Sequence, residues 1–238
     1  MKLTLPQGRF DVNDESGEIV VLVAGGRPPS SEWLRQVAGT YPVWAIDRGA
    51  DICLRAGVSP KILFGDADSG SADAWQWAKD LAIPVERFHP DKDYTDLQLA
   101  LQGVASREPD KTVLLTGGLG RRFDHSFSNI FSLMEAEKVG VKSIGLADEA
   151  EAIFLLRGGQ SLHADFMKLP KVVSLLPLTP VCENICSQGL HWSLCGANLR
   201  LDSPGGISNR LAAGLHRLSV SVGNGCLGIY FCWEEEEL

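Results

Sequence analysis

The sequence lacks several features that mark whole classes of protein. It has 6 cysteines, and none of them forms a Cys-x-x-Cys pair, so a zinc site is not expected and the thiols are predicted to be buried and reduced. No apolar run approaches the roughly 18 residues needed to span a bilayer, and the N-terminus has no signal-peptide core. No run of Lys and Arg offsets the net charge of -8. We therefore expect a cytoplasmic protein with neither a nucleic-acid partner nor a membrane partner.

The first part of the chain alternates between strand-like and helix-like segments. Runs such as Ile19 to Ala24 and Thr112 to Leu115 are continuous and apolar, as in strands that are buried on both faces of a parallel sheet. Gly25-Gly26 ends the first run, where the backbone either approaches a phosphate or forms a close-packed turn. The predicted helices are about 31–38, 51–56, 72–81 and 124–139. One more helix is predicted between the third and the last of these, with apolar residues at 97, 100, 101 and 104. This alternation predicts an α/β domain with a parallel, Rossmann-like sheet at residues 1–150.

The composition changes after about residue 148. Helical periodicity gives way to short apolar runs that are separated by Gly, Pro and Asn. These runs, which predict strands, are Ala152 to Leu156, Val172 to Leu176, Leu190 to Leu194, Leu215 to Val222 and Cys226 to Trp233. The spacing predicts a smaller, antiparallel β-sandwich at residues 151–238.

Two groups of carboxylates stand where predicted strands end. Asp66 and Asp68 follow one strand-like segment and, being two residues apart in an extended stretch, project to the same side. Asp93 and Asp96 follow the next strand-like segment and open a helix. Because the ends of parallel strands meet at one crevice, these oxygens would hold Mg²⁺ and a polyphosphate there.

A plainer interpretation of the same aspartates is also open. Asp is common in turns and at helix starts, and Asp93 or Thr95 can cap the helix that follows. A calcium loop is excluded, because the second group lacks the required glycine and has Gln102 where the bidentate Glu belongs. The presence of two such groups favours the metal site over ordinary turns.

The segment Thr116 to His125 contains the parts of an anion site. Its glycines allow close backbone approach, Arg122 supplies a cation, and a predicted helix begins at Asp124. No Gly-Lys-Ser/Thr sequence follows, so this is not a Walker loop. In this loop Arg122 fits a phosphate ligand better than a surface residue. His125 is either a general base or a hydrogen-bonding residue at the helix start, and the second interpretation is favoured.

Two loops of the C-terminal part combine aromatic and polar residues. They are Gly189-Leu190-His191-Trp192 and Gly205-Gly206-Ile207-Ser208-Asn209. One interpretation is that they hold a flat ligand. The other, which spacing alone favours, is that Trp192 is a core residue and that Ser208-Asn209 is a turn.

Four segments of the chain, in this order, resemble the motifs of the thiamine pyrophosphokinase family. They are Asp47-Arg48-Gly49-Ala50, Gly65-Asp66-Ala67-Asp68-Ser69, Lys92-Asp93-Tyr94-Thr95-Asp96 and Gly120-Arg121-Arg122-Phe123-Asp124-His125. Further likeness is found at Gly189 to Trp192 and at the pair Ser208-Asn209. The resemblance therefore covers most of the chain, from about Val20 onwards.

The resemblance implies an α/β catalytic domain, a C-terminal thiamine-binding β-sandwich and a homodimer with thiamine near the subunit interface. It also implies the reaction, in which the thiamine hydroxyl attacks the β-phosphorus of ATP and gives thiamine diphosphate and AMP. The implied metal ligands for Mg²⁺ are Asp66, Asp68 and Asp96. Asp93 and Lys92 would organise the polyphosphate and the attacking hydroxyl. The implied nucleotide contacts are Asp47, Thr95, Arg122, Asp124, His125 and Asn129. The implied thiamine contacts are Trp192, Ser208 and Asn209.

The sequence departs from the family motifs at three positions. Arg48 and Arg121 stand where the family has glycine, and Ala67 stands where it has phenylalanine. The two arginines add cations beside a polyphosphate. Two alternative functions stay open. One is pyrophosphoryl transfer to another heterocyclic alcohol such as a hydroxymethylpterin, because the catalytic carboxylates do not identify the acceptor. The other, which only Arg48 and Arg121 suggest, is a non-catalytic sensor of thiamine or nucleotide. Trp192 and Ser208 would discriminate the acceptor, and the intact aspartates argue against the sensor.

Overall fold

A computed structural model describes residues 1–14, 17–65, 70–87, 94–203 and 205–234 of the chain. The fold is mixed α/β, and the chain divides into two compact units. One unit, which we call the α/β unit, is Ser16–Asp148. The other, which we call the β unit, combines Met1–Glu15 with Glu149–Leu238. The first residues of the chain therefore belong with its last third.

The α/β unit alternates strands and helices. In chain order these are β3 (Ile19–Val23), α1 (Ser31–Ala38), β4 (Val43–Ile46), α2 (Gly49–Ala56), β5 (Leu63–Phe64), α3 (Ala72–Asp80), β6 (Val85–Glu86), α4 (Asp96–Arg107), β7 (Thr112–Thr116), α5 (Phe123–Glu135), a 3₁₀ turn (Ala136–Val139) and β8 (Lys142–Ala147). The helix expected at 31–38 has those bounds, because Ser30 caps its first turn by accepting a hydrogen bond from the Trp33 amide. The helix expected to reach 139 ends its α-helical part at Glu135.

The strands of the α/β unit pair in parallel, in the order β8, β7, β3, β4, β5, β6. β3 lies centrally between β4 and β7, and every residue of β3 and β7 is buried. Their continuous apolar sequences suit strands covered on both faces. Parallel pairing brings the carboxyl ends of β3, β4, β5 and β7 to the same edge of the sheet. The loops that leave those ends can therefore build one site.

The β unit consists of strands. These are β1 (Lys2–Leu5), β2 (Gly8–Val12), β9 (Glu151–Arg157), β10 (Ser161–Phe166), β11 (Val172–Pro177), β12 (Val181–Gln188), β13 (Ala197–Arg200), β14 (Arg217–Ser221) and β15 (Cys226–Cys232). One set pairs antiparallel in the order β1, β2, β10, β14, β12, β13. A second set pairs antiparallel in the order β11, β15, β9.

The N-terminal strands differ from the sequence-based expectation. The sequence predicts one parallel α/β domain over residues 1–150, but β1 and β2 form an antiparallel hairpin and β2 pairs with β10 of the β unit. Gly8 permits this pairing, since a Cβ on it would lie 2.5 Å from the carbonyl oxygen of Asp165. The alternation of exposed and buried residues in both hairpin strands is typical of a sheet with one covered face.

The strand predictions for the C-terminal part are only partly correct. Leu190 to Leu194 is not a strand: it lies in a loop, where Leu190 forms an isolated bridge with Leu211. Strands β10, β12 and β13 were not predicted. β10 buries Leu162, Ala164 and Phe166 and exposes the polar residues between them, so it has no continuous apolar run. An antiparallel strand with one solvent-exposed face shows alternating apolar and polar residues. A search for continuous apolar runs does not find this pattern.

Aromatic rings join the two sets of strands of the β unit. Phe10 of β2 lies with its ring centroid 4.7 Å from that of Phe154 and 6.0 Å from that of Phe231. Phe166 of β10 lies 5.9 Å from Phe10 and 5.3 Å from Phe231. Phe10, Phe154 and Phe231 are fully buried. The N-terminal hairpin therefore supplies a central ring of this core.

The cysteines take no part in disulfides, since all six are free. The prediction that they are buried is correct for Cys53, Cys182 and Cys226 and wrong for Cys195, which is exposed; Cys186 and Cys232 are partly exposed. Burial raises the pKa of the Cys53 thiol to about 12, which keeps it protonated and unreactive.

Among the helices that the structure describes, none is long and apolar enough to cross a membrane.

We predict that Phe10→Ala lowers the free energy of unfolding by about 3–5 kcal/mol, because the substitution leaves a cavity among fully buried rings. Urea unfolding followed by circular dichroism measures this change. Phe123→Ala is the matched control, since Phe123 is 80% exposed and its loss should change the free energy by no more than about 0.5 kcal/mol. Equal effects of the two substitutions would contradict the placement of the N-terminal hairpin in this core.

Candidate functional site

A cavity of about 450 Å³ lies at the carboxyl edge of the parallel strands in the α/β unit. The loops after β3, β4 and β7 line it, together with the first residues of α4 and residues near the start of α5. Of the positions predicted from the sequence, the following line this cavity: Asp47, Thr95, Asp96, Arg122, His125 and Asn129. Residues from three separate predicted motifs are thus brought together.

Two glycine-containing turns form the floor of this edge. The amide of Gly26 donates to the carbonyl of Gly117 at 2.7 Å, and the amide of Arg27 donates to the carbonyl of Leu119 at 2.6 Å. A Cβ on Gly26 would lie 2.5 Å from the Gly117 oxygen, so no larger residue fits there. For Gly25-Gly26 the close-packed turn is therefore the better of the two interpretations, because the Gly26 amide already has a backbone acceptor.

An ion pair that the sequence analysis missed holds the first of these turns. Arg27 donates to Oδ2 of Asp148 through Nε at 3.0 Å and through Nη2 at 2.6 Å. The residue Asp148 is only 2% exposed. A charge-assisted pair with this geometry fixes the loop after β3 against the end of β8. The two residues are 121 positions apart, and no local motif marks either of them.

Asp47 occupies a strained position at the end of β4. Its φ is 47°, in the left-handed region that non-glycine residues seldom adopt. Its amide donates to the carbonyl of Phe64 at 2.8 Å, and its carbonyl accepts from the amide of Ala50 at 3.0 Å. A Cβ on Gly65 would lie 2.2 Å from Oδ1 of Asp47. Asp47 therefore lies directly against the last described residue before Asp66.

The start of α4 confirms one of the capping predictions. Thr95 is the N-cap: its Oγ1 accepts from the Gln98 amide at 3.3 Å, while its own amide donates to Oε1 of Gln98 at 2.9 Å. This reciprocal pair is a capping box. It leaves Asp96 in the first turn, where the helix dipole favours a negative charge and where the cavity wall lies.

The loop before α5 holds its residues with specific hydrogen bonds. Arg122 donates to Asp124 through Nε at 3.0 Å and through a second contact from Nη2. Asn129 donates from Nδ2 to the carbonyl of Gly118 at 2.8 Å, which ties α5 to the loop after β7. Asp124 is therefore a partner of Arg122, and Asn129 holds the loop after β7 through its hydrogen bond to Gly118. His125 is exposed at the cavity wall.

The pairing with Arg122 acts on the acid–base behaviour of Asp124. The hydrogen bond from the Arg122 guanidinium holds the pKa of the Asp124 carboxyl below its ordinary value, and the Asp124 carboxylate raises the pKa of Arg122. Both side chains are well exposed, so the pair contributes little to stability. Its function is to hold the guanidinium beside the cavity.

The predicted thiamine contacts in the β unit have three different roles. Trp192 is 57% exposed, so it is not a core residue. Asn209 is buried and clamps the Trp192 backbone: its Oδ1 accepts from the Trp192 amide at 3.2 Å and its Nδ2 donates to the Trp192 carbonyl at 2.8 Å. Ser208 is exposed and has a φ of 59°. The structure therefore brings Trp192 and Asn209 into contact and leaves the Trp192 ring and Ser208 accessible.

Four of the predicted residues lie outside the described part of the chain. They are Asp66, Asp68, Lys92 and Asp93. Within the described residues, no group of three His, Cys, Asp or Glu side chains is close enough to hold a metal ion. Of the three predicted metal ligands Asp66, Asp68 and Asp96, the structure therefore describes only Asp96.

Comparison with known protein families gives two matches that together cover most of the chain. Residues 38–144 match the model described as "Thiamin pyrophosphokinase, catalytic domain". Residues 161–227 match the model described as "Thiamin pyrophosphokinase, vitamin B1 binding domain". The first match contains all four segments of the predicted site in the α/β unit, and the second contains Trp192, Ser208 and Asn209.

Curated relatives and solved structures agree with these matches. Thiamine pyrophosphokinase of Bacillus subtilis (strain 168) is 29% identical over 192 residues, which is 80% of this chain and 88% of the relative. Thiamine pyrophosphokinase 1 of Oryza sativa subsp. japonica is 26% identical over 148 residues, or 59% of this chain and 55% of the relative.

Among solved structures, thiamine pyrophosphokinase from Bacillus subtilis has a TM-score of 0.78 at 25% identity and covers 92% of this chain and 100% of its own. The enzyme from Candida albicans has a TM-score of 0.73 at 17% identity and covers 91% of this chain and 89% of its own. The fold is therefore shared with proteins from bacteria and from yeast.

We predict that Asn209→Ala lowers the free energy of unfolding by about 1–3 kcal/mol, because it removes a buried side chain that satisfies two backbone groups of Trp192. Trp192→Ala should cost about 1 kcal/mol, well below the roughly 3–5 kcal/mol of a fully buried tryptophan, since more than half of this side chain is exposed. Denaturant unfolding of both variants measures the difference. A loss of about 3–5 kcal/mol in the free energy of unfolding for Trp192→Ala would mean that Trp192 is a core residue after all.

We also predict that Arg122→Gln raises the pKa of the Asp124 carboxyl towards its ordinary value, as measured by NMR titration. Because the folded-state pKa of Asp124 is depressed, the pair favours the folded state above the unfolded-state pKa and loses this effect as the pH falls through the folded-state pKa. Arg200→Gln is the control, since Arg200 pairs with Asp202 across the same spacing. It should raise the pKa of Asp202 and leave that of Asp124 unchanged.

Proposed function

The chain belongs to the thiamin pyrophosphokinase family, and we propose that it transfers the pyrophosphoryl group of ATP to the hydroxyl of thiamine, giving thiamine diphosphate and AMP. The observation that carries this proposal is the cavity in the α/β unit, where Asp47, Asp96 and Arg122 meet from separate family segments. The matching B1-binding model over the β unit supports thiamine as the acceptor.

The residues of the cavity suit a polyphosphate. Arg122 uses two of its five N–H groups on Asp124, so further donors remain for phosphate oxygens. Lys92, His125 and Asn129 would complete the nucleotide contacts, with Asp47, Thr95 and Asp124 around them. The capping box and the Gly118 bond already engage Thr95 and Asn129, so these two residues act mainly by positioning loops.

The donor set at this edge also fits a hard divalent cation. Asp96 presents a carboxylate to the cavity, and Gly65, which lies against Asp47, leads directly into Asp66. Carboxylate oxygens are the ligands that Mg²⁺ prefers, so Asp66, Asp68 and Asp96 would hold it. When bound, Mg²⁺ supplies charge that neutralises the polyphosphate oxygens.

The proposed reaction is an in-line displacement at the β-phosphorus. The thiamine hydroxyl oxygen forms a bond to that phosphorus, and the bond from phosphorus to the oxygen it shares with the α-phosphate breaks, so that AMP leaves with the bonding electron pair. The hydroxyl proton passes to a carboxylate. Asp93 is the better acceptor, because Asp96, if it ligates metal, is a weak base. Arg122 and Lys92 stabilise the charge on the transferred group.

We propose that thiamine is held by the loop that carries Trp192. The Trp192 ring suits a flat, positively charged heterocycle, by stacking and by cation–π attraction. The Arg210 guanidinium already lies over the ring, 5.8 Å from its centroid, so the ligand would stack on the opposite face. Ser208, which is also exposed, would supply a hydrogen bond. Asn209 is reassigned from a direct contact to a positioning residue, because both ends of its amide hold the Trp192 backbone.

The finer structural expectations belong to the same proposal. They are a Rossmann-like parallel sheet in the catalytic part, a β-sandwich in the thiamine-binding part, a homodimer and a cytoplasmic location. The large apolar side chains Trp192, Leu201 and Ile207 are each more than half exposed in the β unit, which supports a further contact surface there.

The first test is an assay of the purified protein with ATP, Mg²⁺ and thiamine that follows AMP and thiamine diphosphate together. Equal amounts of both products are expected. AMP release only with another heterocyclic alcohol, such as a hydroxymethylpterin, would replace the acceptor and keep the chemistry. Binding of thiamine or nucleotide without any AMP release would favour the sensor instead.

We predict that Asp68→Asn lowers kcat by at least about 100-fold while leaving the unfolding curve nearly unchanged, because it removes the charge of a proposed metal ligand and keeps the size of the side chain. Asp73→Asn is the matched control: Asp73 is an exposed residue in the first turn of α3 and should retain full activity. Normal turnover by Asp68→Asn would remove Asp68 from the metal site.

A further inference from the structure

A second cavity, of about 300 Å³, lies in the α/β unit beside the larger one. Both cavities are lined by Gly25, Gly26, Arg48 and Arg121, so they share a wall. The smaller cavity also reaches Arg55 and the start of α3. Its volume corresponds to roughly ten water molecules at about 30 Å³ each, which is enough room for one or two phosphate groups.

Three arginines from different places in the sequence line this smaller cavity. Arg48 lies at the start of α2, and Arg55 lies in its last turn, two helical turns later and therefore on the same side. Arg121 comes from the loop before α5, with a φ of 58° that is uncommon for a residue other than glycine. Gly25 admits Arg48 closely, since a Cβ on Gly25 would lie 2.7 Å from the Arg48 Cβ.

The described residues that line this cavity carry a net positive charge, since three of them are arginines and one is an aspartate. Among the described residues that line it, Asp51 alone carries a carboxylate, and its Oδ2 accepts a hydrogen bond from the Ser71 amide at 3.2 Å. Within the described part of the chain, no ion pair is formed by Arg48, Arg55 or Arg121. Like charges on one concave wall raise the local potential and attract an anion.

We infer that this cavity, which we call the arginine cavity, is a second anion site that binds a phosphate-class oxyanion. Guanidinium groups bind such oxyanions through paired N–H donors, and three of them converge here without a partner carboxylate among the described residues. Arg48 and Arg121 are the two positions at which the sequence departs from the glycines of the motifs that it resembles. The inference rests on the proposed function only in taking ATP as the neighbouring ligand.

The test is calorimetric titration of the full chain with sodium pyrophosphate and, separately, with inorganic phosphate, without Mg²⁺. Pyrophosphate should bind, and Arg55→Gln and Arg121→Gly should each weaken its binding at least about tenfold, since each removes charge-assisted hydrogen bonds. Arg121→Gly is compatible with the backbone at that position, so the fold should persist, and circular dichroism checks it. Equal affinity in the wild type and both variants would overturn the inference.

Arg217→Gln is the matched control, since Arg217 pairs with Asp165 on strands of the β unit. It removes the same charge and should leave pyrophosphate affinity unchanged. A tenfold loss in this variant as well would mean that general charge, and no defined site, determines the binding, which would also overturn the inference.

Two further arms separate the sources of the oxyanion. If ATP displaces pyrophosphate and Arg55→Gln raises the KM for ATP by a similar factor, the arginine cavity holds a phosphate of the nucleotide itself. If pyrophosphate still binds to the ATP-saturated protein, the cavity holds a free anion. The proposed function is tested independently: a wild-type protein that makes no thiamine diphosphate but binds pyrophosphate through Arg55 would refute the function and retain the site.

Discussion

The backbone contact between the turns after β3 and β7 is the constraint on which the candidate site depends. Two amides, those of Gly26 and Arg27, donate to two carbonyls, those of Gly117 and Leu119, and the lack of a side chain at Gly26 allows that approach. The contact fixes the floor of the large cavity and, because the cavities share Gly26, also one wall of the arginine cavity. The Arg27–Asp148 ion pair then fixes the same turn from its other side.

The arginines that line the two cavities differ in whether a neighbouring carboxylate pairs with them. Arg122 is paired with Asp124 at the surface, so its direction is set by a neighbouring carboxylate. Arg48, Arg55 and Arg121 form no ion pair among the described residues. Transfer of a phosphoryl-type group depends on positive charge around the polyphosphate, and the arginines of both cavities would supply it.

The sequence predicts the parts of the fold whose signal is local. Continuous apolar runs such as Ile19–Val23 locate buried parallel strands, and Thr95, one of the two predicted caps, is the N-cap of α4. Strands with one wet face, such as Ser161–Phe166, show only alternation and are missed. Long-range partners are also invisible: nothing near Arg27 indicates Asp148, and nothing near Trp192 indicates that Asn209 clamps it. The positive φ of Asp47 depends on the loops packed around it, so a motif can name the residue but not its conformation.

The pairing of β2 with β10 has a consequence for the order in which the protein folds. Asp11 faces His163, so the hairpin that is synthesised first finds its neighbour only after the whole α/β unit has been made. The α/β unit, by contrast, is one uninterrupted stretch and can complete its own sheet earlier. Pairings between such distant residues form slowly, and until then Phe10 lacks the rings that bury it. Until β10 has been made, the apolar face of this hairpin therefore has no strand of the second half of the β unit to pack against.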